Sequence, residues 1–112
     1  MAFDEHLAQR VESVLKEKKV RFEAKRMFGG IAYMVDNKMC VGIIKNDLMA
    51  RIDPAIYDEA LTKKGCIPME FTGKPMVGYV NIRPEGVDMQ NDLEYWISLC
   101  LEFNPRAKSS KK

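Results

Sequence analysis

The amino-acid sequence predicts an α+β fold, in which one antiparallel sheet and the helices packed on it form a two-layer sandwich. Three observations lead to this prediction. Apolar residues recur with helical spacing at both ends of the chain, they alternate with polar residues through much of the middle, and turn residues separate the alternating segments. The order reads as helix, three or four strands, helix, two strands, helix, which is typical of a single two-layer domain.

The first helix is predicted from an apolar stripe behind an acidic N-cap. Asp4 can accept hydrogen bonds from the first free backbone N–H groups, and Lys18 and Lys19 suit the negative end of the helix dipole. The stripe residues fall on one face of the helix: Phe3, Leu7, Val11, Val14 and Leu15.

The next segment has the period of a half-buried strand, because Val20, Phe22 and Ala24 alternate with charged residues. Gly29 and Gly30 then predict a sharp turn, since adjacent glycines adopt backbone dihedrals closed to other residues. Further turn residues separate three more apolar segments, which predicts an antiparallel meander over residues 31–35, 39–44 and 48–52.

A second helix is predicted over residues 54–62, because Asp53 can cap it and Pro54 suits its first position. A second hairpin follows, turning at residues 73–75 and returning over residues 78–82. Asn91 or Asp92 is expected to cap the last helix, which should stop at Pro105. Its apolar stripe is Leu93, Trp96, Ile97, Cys100 and Leu101.

The chain is predicted to be one domain, residues 1–104, followed by a disordered basic tail, residues 105–112. The tail has too few apolar groups to offset the entropy cost of ordering it.

Charge is unevenly distributed along the chain, although the net charge is only +2. Six basic and two acidic residues lie between positions 16 and 26, and the tail adds four basic residues and no acidic one. This separation favours an acidic partner, and a solvated surface explains it equally well.

Residue types that carry chemistry are sparse and scattered. The three cysteines, Cys40, Cys66 and Cys100, are widely spaced and odd in number, which predicts reduced thiols and neither a disulfide scaffold nor a metal site. His6 is the single histidine, so no catalytic set is predicted and no cofactor is expected.

The longest apolar runs fall short of the ~20 residues that cross a bilayer, and the acidic N-terminus does not match a secretory signal. A cytoplasmic location is therefore expected.

An ordered set of segments resembles the N-terminal domain of the TfoX/Sxy competence regulators of bacteria. The segments are RMFGG at 26–30, AY at 32–33, KMCVG at 38–42, DLMAR at 47–51, FTGKPM at 71–76 and GYV at 78–80. The resemblance implies an α-β(3)-α-β(2)-α fold like that of type III secretion chaperones. It also implies a role in transcription of competence genes alongside the cyclic-AMP receptor protein, with no assigned catalytic residues. Full-length members add a C-terminal helical domain, so this chain is expected to be a stand-alone N-terminal domain.

Three hypotheses for function follow. The first is a non-enzymatic adaptor that presents its sheet and a turn to a protein partner, either the transcription machinery or one of its regulators. Its partner-binding residues are Lys25, Arg26, Met27, Phe28, Gly29 and Gly30. The second is direct nucleic-acid binding through the tail and a basic segment. The segment's residues are Lys16, Lys18, Lys19, Arg21, Lys25 and Arg26.

The third hypothesis is an enzyme or a small-ligand binder that uses a pocket between the sheet and the helices, with Cys40 or Cys66 as nucleophile. It is the least favoured, because no base partner is visible. Six of the eight methionines lie on or beside predicted strands, which indicates either a soft core or an adaptable binding surface. A symmetric homodimer is also predicted, since a small sandwich leaves an edge strand or a helix face available.

Overall fold

The computed structural model describes residues 4–27, 29–71 and 73–107. Three α-helices and six β-strands form in these residues, together with short 3-10 turns at Pro54–Ile56, Pro84–Gly86 and Asn104–Arg106. The helices are α1 (Glu5–Glu17), α2 (Tyr57–Ala60) and α3 (Gln90–Phe103). The strands are β1 (Glu23–Met27), β2 (Gly30–Val35), β3 (Lys38–Ile44), β4 (Asp47–Arg51), β5 (Cys66–Phe71) and β6 (Lys74–Ile82).

The six strands form one antiparallel sheet in the order β1-β2-β3-β4-β6-β5. The predicted α+β class is therefore confirmed. Four strands precede α2, one more than the β(3) of the family pattern and within the three or four read from the residues. The first strand begins at Glu23, because the backbone N–H of Val20 still bonds the carbonyl of Leu15 at the end of α1.

The helices α1 and α3 share one face of the sheet and bury the predicted stripes against it. Four of the five stripe residues in each helix are buried: Leu7, Val11, Val14 and Leu15 in α1, and Leu93, Trp96, Ile97 and Cys100 in α3. Phe3 lies outside the described residues, and Leu101 is half-buried. At the centre, Tyr33 is fully buried, donates its hydroxyl to Glu12 Oε2 at 2.8 Å and packs edge-on against Phe22.

Two of the three predicted caps are present. Asp4 Oδ1 accepts from the N–H groups of His6 and Leu7, and Asp53 Oδ1 accepts from that of Ala55. Asp53, however, starts a 3-10 turn followed by the single turn of α2, so the second helix is shorter than expected.

The expected cap of α3 was wrong, because the helix begins at Gln90 and Met89 is its N-cap without a side-chain hydrogen bond. The start of α3 depends on a contact distant in sequence. Arg10 Nη2 donates to the carbonyls of Val87 and Asp88 at 2.9 and 3.3 Å and so fixes the loop that leads into the helix.

The end of α3 is tied to the sheet. Lys38 Nζ donates to the carbonyl of Asn104 at 3.1 Å, and Asn104 Nδ2 donates to that of Val35 at 3.2 Å. Arg106 forms a 2.9 Å ion pair with Asp53, and Ala107 is buried. The first residues of the predicted basic tail therefore contact the domain. The rest of the tail, residues 108–112, lies outside the described residues, where its disorder stays a prediction.

Candidate functional site

The sheet has one face covered by α1 and α3 and an opposite face, called here the open face, on which none of the three helices packs. Residues paired across antiparallel strands share a face. One row of paired residues crosses all six strands: Lys25, Ala32, Gly42, Met49, Asn81 and Ile67. Ala32 and Met49 are buried although neither belongs to the helix-side core.

Met49 covers the middle of the open face. Its terminal methyl lies 2.8 Å from the point that a Cβ on Gly42 would occupy. Met34 and Met39, a cross-strand pair on the same face, are half-buried. Methionine side chains are unbranched and repack easily. Since Met49 is buried and Met34 and Met39 are half-buried, these three residues fit the soft-core interpretation better than that of an exposed adaptable surface.

A polar group lies beside Met49. Arg51 and Tyr79 pair across β4 and β6, and the guanidinium carbon of Arg51 lies 5.4 Å from the centre of the Tyr79 ring. Arg51 Nη1 and Asn81 Oδ1 are both buried and have no hydrogen-bond partner in the described part of the chain. Sequence reasoning missed these residues. The available signal was their alternation with Ala50, Ile52 and Val80, which places them on the face away from the core.

The two edges of the sheet differ. Strand β5 contains Pro68. Because proline has no N–H group to donate, it disfavours the addition of a further strand at that edge. Strand β1 pairs with β2 alone and contains no proline. The side chains from Glu23 to Arg26 are all exposed. The β1 edge is consequently the one at which an added strand can pair.

The predicted partner-binding residues divide into three groups. Lys25 and Arg26 are exposed on β1. Gly29 is exposed in the turn, with φ of +76°. Gly30 is buried, and a Cβ there would collide with the carbonyl oxygen of Ile43. The absence of a side chain at Gly30 therefore allows β2 to lie close to β3. Phe28 and the side chain of Met27 lie outside the described residues.

The six residues of the nucleic-acid hypothesis are all exposed and follow one another from the end of α1 into β1. Apart from Arg26, they form no ion pair within the described ranges. An open groove of about 520 Å³ adjoins this basic segment. Its lining residues are Arg21, Phe22, Glu23, Met34, Val35, Asp36 and Asn37.

The three cysteines are free thiols, as predicted, and all three are buried. Burial raises the pKa of Cys66 to about 11. The pKa of Cys100 is raised well above its usual value by a hydrogen bond with Cys40 and by burial. Both thiols are therefore held in the protonated form, which is a poor nucleophile.

The remaining chemistry-bearing groups do not converge. His6 is exposed and lines an open groove of about 370 Å³, away from the three thiols. Arg10 lines the same groove, where its guanidinium is held by backbone carbonyls. No group of three His, Cys, Asp or Glu side chains that could hold a metal ion occurs among the residues described.

The family comparison is consistent with this fold. The model of the TfoX N-terminal domain matches residues 15–104. The chain belongs to the TfoX N-terminal domain family. The match runs from the end of α1 to the end of α3, so β1, the turn at Gly29 and the open face all lie within the TfoX N-terminal domain. Searches of curated proteins and of solved structures gave no match. None of the described helices is long and apolar enough to cross a membrane.

Proposed function

We propose that this TfoX N-terminal domain is a non-enzymatic regulatory adaptor that acts in the cytoplasm by contact with a protein of the transcription machinery or one of its regulators. The regulated process in this proposal is DNA-uptake competence, which follows from the family alone. The chemistry of the thiols and the histidine supports an adaptor. The buried thiols of Cys66 and Cys100 stay protonated, and the groove that the exposed His6 lines contains no cysteine.

The observation that carries the proposal is the exposed, basic β1 edge. An extended segment of a partner can add to such an edge as a further strand, with backbone hydrogen bonds giving affinity and side chains giving specificity. Lys25 and Arg26 favour an acidic partner segment, because complementary charge speeds association and excludes wrong partners. Gly29, exposed in the turn that follows β1, adjoins the same surface.

Charge reversal at the β1 edge is expected to weaken partner binding. The double variant Lys25→Glu/Arg26→Glu should weaken binding about tenfold or more, since like charges facing each other across an interface cost several kcal/mol. Affinity capture from the native cytoplasm, followed by quantitative mass spectrometry, measures the loss. The matched control is Lys63→Glu/Lys64→Glu, which reverses two exposed cations after α2, away from β1.

The control variant should retain the same captured protein at the wild-type level. The proposal is wrong if no protein is captured selectively, or if both double variants lose it equally. A thermal denaturation curve of each variant establishes that its domain is folded before capture.

Direct nucleic-acid binding is the second candidate, favoured by the exposure of all six basic residues between Lys16 and Arg26. If it is correct, the affinity for a short DNA duplex should fall with salt at a log–log slope of roughly −0.9 for each phosphate contact. Lys16→Glu/Lys18→Glu should then reduce the slope by about 2. A fluorescence-anisotropy titration that shows no binding at low salt would exclude this candidate.

A further inference from the structure

We propose that the partner segment which adds to β1 runs antiparallel to it and carries three consecutive residues in the order acidic, apolar, basic. This inference rests on the proposed function, because it names the chemistry of the segment that the β1 edge binds. In the proposed register, the acidic residue faces Lys25, the apolar residue faces Ala24 and the basic residue faces Glu23.

The β1 edge is accessible to an added strand along these three residues. In the described sheet, β1 pairs with β2 alone, so its outer side presents backbone N–H and C=O groups that no neighbouring strand bonds. The side chains of Glu23, Ala24 and Lys25 are all exposed. An added strand therefore reaches both the backbone and these side chains without displacing a buried group.

The register of β1 on β2 assigns the three side chains to two faces of the sheet. Ala24 pairs with Tyr33, which belongs to the helix-side core, so Ala24 lies on the helix side. Glu23 and Lys25, its neighbours in sequence, lie on the open face. Because a partner strand alternates in the same way, its two charged residues lie on the open face and its middle residue lies on the helix side.

Glu23 and Lys25 determine the charges of the partner segment. Neither side chain forms an ion pair within the described residues. Residues directly opposite on neighbouring strands are close enough for opposite charges to stabilise the pair and for like charges to destabilise it. A uniformly acidic segment would place a carboxylate opposite Glu23. One acidic and one basic residue, two positions apart, complement both side chains.

The apolar residue in the middle follows from the surroundings of Ala24. The side chain of Ala24 is a single exposed methyl group, which leaves space on the helix side of β1. Phe22, two residues earlier, is half-buried and packs edge-on against Tyr33. A residue that faces Ala24 has Phe22 as its diagonal neighbour. A large apolar side chain there would cover the Phe22 ring and extend the helix-side core.

The order of the three residues depends on strand direction. The described strand pairs of this sheet are all antiparallel, and antiparallel pairing is slightly more stable per residue than parallel pairing. An antiparallel segment, read from its N-terminus, meets Lys25 first and Glu23 last. The reverse order would bring like charges together at both positions.

The test is fluorescence anisotropy with labelled synthetic peptides at low salt. The probe peptide is Thr-Thr-Glu-Ile-Lys-Thr-Thr, and the control peptide, Thr-Thr-Lys-Ile-Glu-Thr-Thr, has the same composition and net charge. The wild-type domain should bind the probe peptide about tenfold more tightly, because the control peptide replaces both opposite-charge pairs with like-charge pairs. Replacing the isoleucine of the probe peptide by serine should weaken binding about fivefold, since less apolar surface is buried.

Exchanging the two charges of the domain gives the decisive result. The double variant Glu23→Lys/Lys25→Glu has the same net charge as wild type. It should prefer the control peptide over the probe peptide by about tenfold, the reverse of the wild-type preference. Non-specific attraction to the basic segment cannot reverse a preference between peptides of identical composition. Thermal denaturation of both domains establishes that they are folded.

Three results would overturn the proposal. The first is no binding of the probe peptide at domain concentrations up to roughly 1 mM, the limit of a very weak complex. The second is the same peptide preference in wild type and the double variant, and the third is no effect of the serine replacement.

These results are distinct from a failure of the proposed function. If a captured protein protects the amides of residues 23–27 from exchange while the peptides show no preference, the adaptor function stands and the acidic-apolar-basic order is wrong. If the peptides show the expected preferences and no protein is captured, the order is correct and the adaptor function is wrong.

Discussion

Replacing Gly30 by alanine should lower the free energy of unfolding by about 3 kcal/mol, although the change adds one methyl group. The added Cβ would collide with the carbonyl oxygen of Ile43 and lie 3.3 Å from the Cα of Ile44. Both are backbone atoms of the neighbouring strand β3, and they cannot rotate away as a side chain can. Strands β2 and β3 would have to separate where Gly30 pairs with Ile44.

The adjacent glycine is the matched control. Gly29 has open space where its Cβ would lie, but its φ of +76° is strained for any residue with a side chain. Gly29→Ala should therefore cost only about 1 kcal/mol. Urea denaturation followed by Trp96 fluorescence measures both values. Equal losses for the two variants, or a tolerated Gly30→Ala, would contradict the assignment of Gly30 to strand packing and Gly29 to the turn.

The second large effect is a loss of stability in alkaline solution. Burial and the Glu12 carboxylate, which accepts the hydroxyl proton and is negatively charged, raise the pKa of Tyr33 well above its usual value. The pKa values of Cys66 and Cys100 are raised as well, to about 11 in the case of Cys66. In each case the native state keeps a proton that the unfolded chain releases at lower pH.

The sign of the effect follows from this difference. Below pH 9.0, the ordinary pKa of the thiols, both states keep these protons, and their contribution to stability is complete. As the pH rises toward the native pKa values, the free energy of unfolding should fall by up to ~1.4 kcal/mol per pH unit for each group. The two thiols cause the first part of this loss of stability. Tyr33 adds to the loss only above pH 10.0, the ordinary pKa of its phenol.

Urea denaturation at a series of pH values tests this account. Wild type should be insensitive to pH between 7 and about 8.5 and lose stability steeply above it. Tyr33→Phe should show a shallower loss above pH 10.0, because one of the three titrating groups is removed. Constant stability up to pH 11, or identical slopes for wild type and Tyr33→Phe, would contradict the burial of these groups in their protonated form.

Local patterns predicted much of this fold. The apolar stripes of α1 and α3, the meander and the caps at Asp4 and Asp53 depend on residues close in sequence, so periodicity and turn chemistry indicated them directly. The start of α3 was not predictable in this way. It depends on Arg10, which binds the carbonyls of Val87 and Asp88 from the opposite part of the chain.

The open face could be predicted only in part. Alternation along a strand gives two faces, but the register shift between Tyr33 and Met34 brings Met39 to the open face and leaves Cys40 in the helix-side core. The strand order β4-β6-β5 brings Arg51 beside Tyr79 and Asn81, about 30 residues later in the sequence. Residues close to Arg51 in sequence do not predict this pairing, because it forms only when the distant strand β6 joins the sheet beside β4.

The most direct test of the adaptor account is amide hydrogen exchange of the domain, measured alone and with the protein captured from the cytoplasm. Strand addition at β1 would protect backbone N–H groups within residues 23–27 and leave those of β5 unchanged, since bound backbone amides exchange slowly. Protection confined to other elements, with unchanged exchange throughout residues 23–27, would contradict the proposal that this domain binds its partner through the β1 edge.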